Sequence, residues 1–126
     1  MNTPPDSLSY CTPRDIQADL LGFDLEGDMT LDRLLAVGKF IAETCSRRKI
    51  GRALADARPM KGDLSITEWH TLGTAFETTW PGVRLAIVDR ADRLLPDRFL
   101  QTTARNRGIN VLVFDDPKPA LDWLRS

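Results

Sequence analysis

The chain is 126 residues long, enough for one domain that buries about two-thirds of the surface its unfolded form exposes. Apolar residues at 42% and charged residues at 28%, without a low-complexity tract, exclude a disordered chain, and a net charge of −1 excludes global attraction to nucleic acid or anionic lipid. No uninterrupted apolar segment approaches the roughly 20 residues of a membrane-spanning helix, and the N-terminus has no basic start followed by an apolar run, so a cytoplasmic protein without a transmembrane segment is expected.

Residues 1–6, with Pro4 and Pro5, read as a loose lead-in to a single domain covering 1–126. Alternation over 7–12, with Leu8 and Tyr10 on one side, predicts an edge strand, and 13–15 a turn at Pro13. Over 18–26 the alternation is plainer, Leu21, Phe23 and Leu25 facing one way and Gly22, Asp24 and Glu26 the other. Gly27 and Asp28 break that strand. Thr30 is the expected N-cap of a long helix whose apolar face carries Leu31, Leu34, Leu35, Gly38, Ile41, Ala42 and Cys45 and which ends near Arg48. Cys11 and Cys45 fall on separate elements without ligand-like spacing and read as free, partly buried thiols in a reducing compartment.

Residues 53–55 form an apolar run like a buried parallel strand, followed by a loop with Pro59 and Gly62. Ser65 stands three residues before Glu68, the spacing of a capping box, and should start a second helix. Beyond it Ile66, Trp69, Gly73, Phe76 and Trp80 recur at spacings of three and four and share one face that needs a sheet to cover. Pro81 and Gly82 stop this helix before a second buried strand over 83–88, and residues 89–92 read as a polar crossing. A third helix is predicted to about Arg107, with Leu94, Leu95 and Phe99 buried and Gly108 as its cap. Residues 109–114 form the last strand, 115–119 a turn, and 120–125 a short closing helix that packs through Leu121 and Leu124. Alternating strands and helices joined by right-handed crossovers place the later strands parallel, with the N-terminal pair supplying an antiparallel edge.

Parts for catalysis are few. His70 is the single histidine and reads as a half-buried flank of Trp69; Ser65 and His70 are five apart on one helix and cannot converge with Asp63 as a triad. There is no nucleophile elbow, phosphate-binding glycine loop or paired-histidine metal motif, so no catalytic residue, metal or cofactor is expected. Asp115 and Asp116, beside Pro117, read as a turn rather than a strand-end site. Arg47, Arg48, Lys49 and Arg52 suit a solvated helix C-terminus, with partner or headgroup contact as the alternative; lacking interleaved aromatics, they do not suggest nucleic-acid binding. Trp69, Phe76, Trp80, Phe99 and Trp123 read as core, the alternative being the lining of a cavity for an acyl chain.

Three features carry a resemblance: the second strand running into Gly27, Thr30 and Asp32 at the first long helix; residues 53–56 leading by a loop to Asp63, Leu64 and Ser65; and Gly108, Ile109, Asn110 and the strand to Phe114 before the closing helix. In these the chain resembles the STAS, or SpoIIAA-like, superfamily, and most closely the small bacterial STAS/CRAL-TRIO-like proteins. The resemblance implies a single α/β domain with a mainly parallel sheet of four or five strands, an N-terminal edge strand and about four helices. It also implies no catalytic chemistry, and roles in protein partnering or apolar-ligand binding. In antagonist members an Asp-Ser-Ser/Thr-Gly-type motif is phosphorylated by a partner kinase. Asp63-Leu64-Ser65-Ile66 is the matching position, with Leu64 at the first hydroxyl and Ile66 at the glycine. Ser65 reads as an N-cap, with phosphorylation as the alternative.

The expected function is therefore a non-enzymatic binding or regulatory module acting on a protein partner through the strand-loop-helix at 56–68, with Asp56, Asp63 and Ser65 as its partner-binding or regulatory residues. The alternative is a carrier or sensor of a lipid or other small apolar ligand lined by Trp69, Phe76 and Phe99. An exposed edge strand or helix would serve homodimerisation.

Overall fold

The computed structural model describes residues 8–79, 82–93 and 110–126. Its elements are β1 (Cys11–Gln17), β2 (Leu20–Leu25), α1 (Leu31–Arg48), β3 (Arg52–Asp56), α2 (Ile66–Thr79), β4 (Arg84–Val88), a single 3-10 turn (Ala91–Arg93), β5 (Val111–Phe114) and α3 (Pro117–Arg125). The five strands form one sheet in the order β1-β2-β3-β4-β5. β2 to β5 run parallel and β1 pairs antiparallel with β2, which is the expected mainly parallel sheet with an N-terminal edge. The described residues hold three α-helices; the predicted helix reaching Arg107, with Phe99, lies outside them.

The first strand differs from the expectation. A turn at 13–15 was expected, yet β1 runs through Pro13, with Pro13 opposite Phe23. The Glu26 N–H donates to the Tyr10 carbonyl at 3.1 Å, and ladder bonds alternate from there, so Pro13 falls at a non-hydrogen-bonded position. Its missing N–H points to the outer edge of an edge strand, where a proline removes no ladder bond. The chain reverses instead at Ala18 and Asp19, where Asp19 adopts the left-handed region at φ 61°.

α1 begins where its sequence indicates. The Thr30 hydroxyl accepts the Arg33 N–H at 3.2 Å, and Asp32 places a negative charge in the first turn. The buried face is broader than the expected stripe: Val37, Phe40 and Thr44 are buried with Leu34, Gly38, Ile41 and Cys45, whereas Leu31, Leu35 and Ala42 are only partly covered. A helix flanked by both a sheet and α2 buries more than one narrow face. At the other end α3 starts at Pro117, earlier than expected, because the Asp116 carboxylate caps it by accepting the Lys118 N–H at 3.1 Å and proline is pre-organised for a first helical turn.

The sheet carries a core on each face. Phe23, Leu21, Ala53, Ala55 and Leu85 pack under α1 and α2, while Leu20, Leu54, Ala86 and Val88 pack under Ala120 and Leu124 of α3. A fully buried large side chain contributes about 1.5–3 kcal/mol and a helix cap about 1 kcal/mol, so the two cores hold the helices and the caps set their register. Among the described residues no helix is long and apolar enough to cross a membrane.

Candidate functional site

At the carboxyl edge of the sheet two loops are joined by backbone. Two residues beyond β2 stands Gly27, whose φ of 89° favours glycine; a Cβ there would also lie 2.6 Å from Nη1 of Arg33. The next residues pair with the loop after β3: the Met29 N–H donates to the Lys61 carbonyl at 2.7 Å and the Lys61 N–H to the Gly27 carbonyl at 2.9 Å. Met60, fully buried, anchors the β3–α2 loop in the core, and the Ala57 N–H ties its start to Val88 of β4 at 2.7 Å. The loop that precedes α2 is therefore held at three points.

Ser65 and Glu68 form the expected capping box. The Ser65 Oγ accepts the Glu68 N–H at 3.1 Å and the Glu68 Oε1 accepts the Ser65 N–H at 2.9 Å. Asp63 is exposed, but its Oδ1 accepts two donors, the Leu64 N–H at 2.7 Å and the Trp69 indole N–H at 3.3 Å. Asp56 stands apart from them at the end of β3, on the α3 side of the sheet. Its carboxylate accepts the Nε, Nη2 and backbone N–H of Arg58 at 2.9, 2.8 and 3.1 Å. Partial burial pushes the Asp56 carboxyl up, but the hydrogen bonds and charge of Arg58 outweigh it, and the group lies below the ordinary carboxylate range. The structure thus brings Asp63 and Ser65 together at the start of α2 and commits Asp56 to an internal pair with Arg58.

Ile66 corrects the periodicity argument. It was expected on the buried face of α2 and is instead 73% exposed, the single large hydrophobic residue so exposed among the described residues. Leu64 takes the inner position. As the residue before the cap it is buried in the same cluster as Trp69, the fourth residue of the helix, which is the arrangement of a hydrophobic staple. Leu64 and Trp69 at that spacing were the sequence signal for this. His70, expected half-buried, is exposed on the same helix.

Behind Trp69 lies a cavity of about 50 Å³ between the sheet and the two helices. Val37, Ile41, Trp69, Leu72 and Ile87 are among its walls, and Asp89 is the one polar residue among its described lining. Residues 89–92 were expected to form a polar crossing, yet Asp89 is only 1% exposed: its N–H donates to the Phe114 carbonyl at 2.9 Å, continuing the β4–β5 pairing by one residue and turning its side chain inward. Arg90 and Asp92 remain outside as an ion pair at 3.2 Å. Of the other expected lining residues, Phe99 and the side chain of Phe76 lie outside the described residues. Among the described residues no group of three or more His, Cys, Asp or Glu side chains could hold a metal ion.

A mainly parallel sheet with an antiparallel N-terminal edge and, among the described residues, two helices on one face and a short C-terminal helix on the other matches the SpoIIAA-like fold. Solved structures agree. The chain is similar over 99% of its length to an anti-sigma factor antagonist from Mycobacterium paratuberculosis, all of which is covered, at 14% identity and a TM-score of 0.64. It is also similar, over 90% of its length and 91% of the other chain, to an uncharacterized DUF3478-family protein with a SpoIIAA-like fold from Shewanella loihica, at 21% identity and a TM-score of 0.53. No protein-family model matches the sequence, and no curated protein matches it significantly.

Proposed function

We propose that the chain is a non-enzymatic binding module that engages a protein partner through the β3–α2 loop and the first turn of α2. The observation that carries this reading is Ile66: a large aliphatic side chain 73% exposed, on a helix turn fixed by a capping box and a buried anchor. Leaving it in water forgoes about 1.5–3 kcal/mol that burial would contribute, and an ordered apolar side chain with polar neighbours suits the centre of a contact patch. Asp63, Ser65 and Lys61 would form its polar rim. The similar fold of a protein named as an anti-sigma factor antagonist supports a protein partner in the same class of role.

Ser65 in this reading acts as cap rather than as acceptor of a phosphate. A phosphate on its Oγ would face the Glu68 carboxylate, which closes the box, and stand beside Asp63. A carrier of an acyl chain has less support, because ligand pockets for drug-sized molecules run to roughly 300–1,000 Å³ and the cavity behind Trp69 is about 50 Å³.

The test is quantitative capture of partners from the native host by the wild-type chain, Ile66→Asp, and Lys39→Glu on the exposed side of α1. A protein held by wild type and Lys39→Glu, and lost at least about tenfold by Ile66→Asp, is the expected result. Equal retention by all three overturns the assignment of the surface.

A further inference from the structure

We infer that the partner meets this chain with a basic amphipathic helix, whose apolar face lies along the exposed side of α2 and whose cations sit against carboxylates of the two joined loops. This rests on the protein-partner reading and adds to it the partner's chemistry and three further contact residues, Glu26, Asp28 and Asp32.

The outward side of α2 is poor in charge for a solvated helix. Ile66, Thr67, His70, Thr71 and Thr74 are exposed at successive steps of one and three residues, a straight ridge about two turns long. No Asp, Glu, Lys or Arg stands between Glu68 and Glu77, in a chain that is 28% charged. Threonine is a poorer helix former than the Glu, Lys or Gln that commonly fill exposed positions, so helix stability does not select it here. Two of the hydroxyls are spent within the helix. Thr71 Oγ1 donates to the Thr67 carbonyl and Thr74 Oγ1 to the His70 carbonyl, each at 3.1 Å, which leaves methyl groups and acceptor lone pairs for contacts outside. Such a ridge suits the apolar face of another helix.

Charge specifies the rest of that helix. Backbone pairing of Gly27 and Met29 with Lys61 sets residues 26–32 beside residues 61–68 at the carboxyl edge of the sheet. Together these segments carry five carboxylates against one lysine, a net charge of −4, whereas the whole chain carries −1. Glu26, Asp28, Asp32 and Asp63 are exposed, and the guanidinium of Arg33, the next residue, is turned to the Tyr10 ring and the Asp28 carbonyl. Arg47 and Arg48 lie at the opposite end of α1 from Asp32, so the field draws a cationic element to the Ile66 end and turns it away from the other. An acidic helix is repelled from the same place.

The experiment titrates the full 126-residue chain, labelled with nitrogen-15, with three synthetic helical peptides about four turns long. One has leucine on one face and lysine on the other, the second has glutamate in place of lysine, and the third has serine in place of leucine. The leucine-lysine peptide should give saturable shifts confined to residues 26–32 and 61–74, with an affinity that falls several-fold between about 0.05 and 0.5 M salt. The other two should bind at least about tenfold more weakly. Ile66→Asp should weaken the leucine-lysine peptide at least about tenfold although it adds a negative charge, and Glu26→Lys combined with Asp28→Lys at least about fivefold, while Lys39→Glu should leave it unchanged. Equal binding of the three peptides, shifts outside those segments, or an unaltered response in the double lysine variant would overturn the inference and leave the Ile66 surface standing. An unaltered response in Ile66→Asp would overturn that surface and the inference with it. Shifts of the same amides on raising the protein concentration alone would assign the ridge to a second copy of the chain and so overturn the partner helix.

Discussion

The two cysteines show how burial alone sets the chemistry of a side chain. Cys11 and Cys45 are fully buried, free thiols, where partial burial was expected. Desolvation, reinforced by Asp24, pushes the Cys11 thiol up to about 12. Desolvation also raises Cys45, to about 11, with Arg48 working against it and Asp19 with it. A thiolate is the reactive form, so both should resist alkylation in the folded protein and react on unfolding. The raised values also predict an alkaline limit. Each thiol favours the folded state below its unfolded value of 9.0, and that contribution is lost as pH rises from there through the folded value. Above pH 9 stability should fall by up to roughly 1.4 kcal/mol per pH unit for each thiol. Urea unfolding of wild type, Cys11→Ala and Cys45→Ala between pH 8 and pH 10.5 checks this; the alanine variants should show shallower slopes, and identical slopes would remove the argument. Asp56 acts in the opposite direction at the acid end, where its contribution is present above the ordinary carboxylate range and is lost as pH falls through its lowered value.

At the scale of an element, α2 separates what a local pattern can reveal from what it cannot. Ser65 and Glu68 are three residues apart and exchange hydrogen bonds with each other's backbone, so the helix start was legible from spacing alone. Ser65→Ala should cost about 1 kcal/mol of stability by denaturant unfolding, and Glu68→Gln much less because an amide oxygen can still accept the Ser65 N–H. A Ser65→Ala variant as stable as wild type would show that packing alone holds the first turn. Periodicity failed one residue further on. Ile66 shares the angular stripe of Trp69, but a stripe tells only which residues align, not how far the sheet extends beneath them. Leu64, outside the helix and so outside the periodic pattern, fills the core position there. The same limit explains Pro13 and Asp89. Both were read from residue type, as turn and as polar crossing, while their placement depends on which strand lies alongside, an edge for Pro13 and a paired β5 for Asp89. Glycine turns at Gly27 and Gly62 and the Thr30 cap were legible because each is decided within a few residues, and the parallel strands because strands alternate with helices along the chain.

The whole molecule is closed by contacts that no local pattern contains. Arg52 and Arg84 are register partners on β3 and β4, on the face covered by α3. Placed side by side, two guanidinium groups repel unless something between them is negative. The C-terminal end of α3 supplies it: Nη1 of Arg52 donates to the Leu124 carbonyl at 2.9 Å, and Nη1 of Arg84 to the Trp123 carbonyl at 3.1 Å. These carbonyls belong to the last turn and carry the negative end of its dipole, and the Trp123 carbonyl also accepts the Ser126 N–H at 3.3 Å and its hydroxyl at 2.6 Å. Asp19 adds an ion pair to Arg52 at 3.6 Å, and the Arg84 guanidinium lies 5.1 Å from the centre of the Trp123 ring. The predicted behaviour follows from the shared partner. Arg52→Ala or Arg84→Ala should each cost roughly 1–2 kcal/mol, since a hydrogen bond from a charged donor is lost while the remaining arginine is relieved of its neighbour. The double variant should cost more than the sum, because each single variant is offset by relief of the repulsion and that relief can be gained only once. Leu124→Ala, which removes a fully buried side chain, should cost about 2–5 kcal/mol and more than either arginine. Amide hydrogen exchange distinguishes the mechanism from a general loss of stability. In the arginine variants the amides of α3 should exchange faster while those of α1 keep their protection relative to the global unfolding energy. Uniform acceleration across both helices would mean that the two arginines hold the sheet itself rather than latch the last helix onto it.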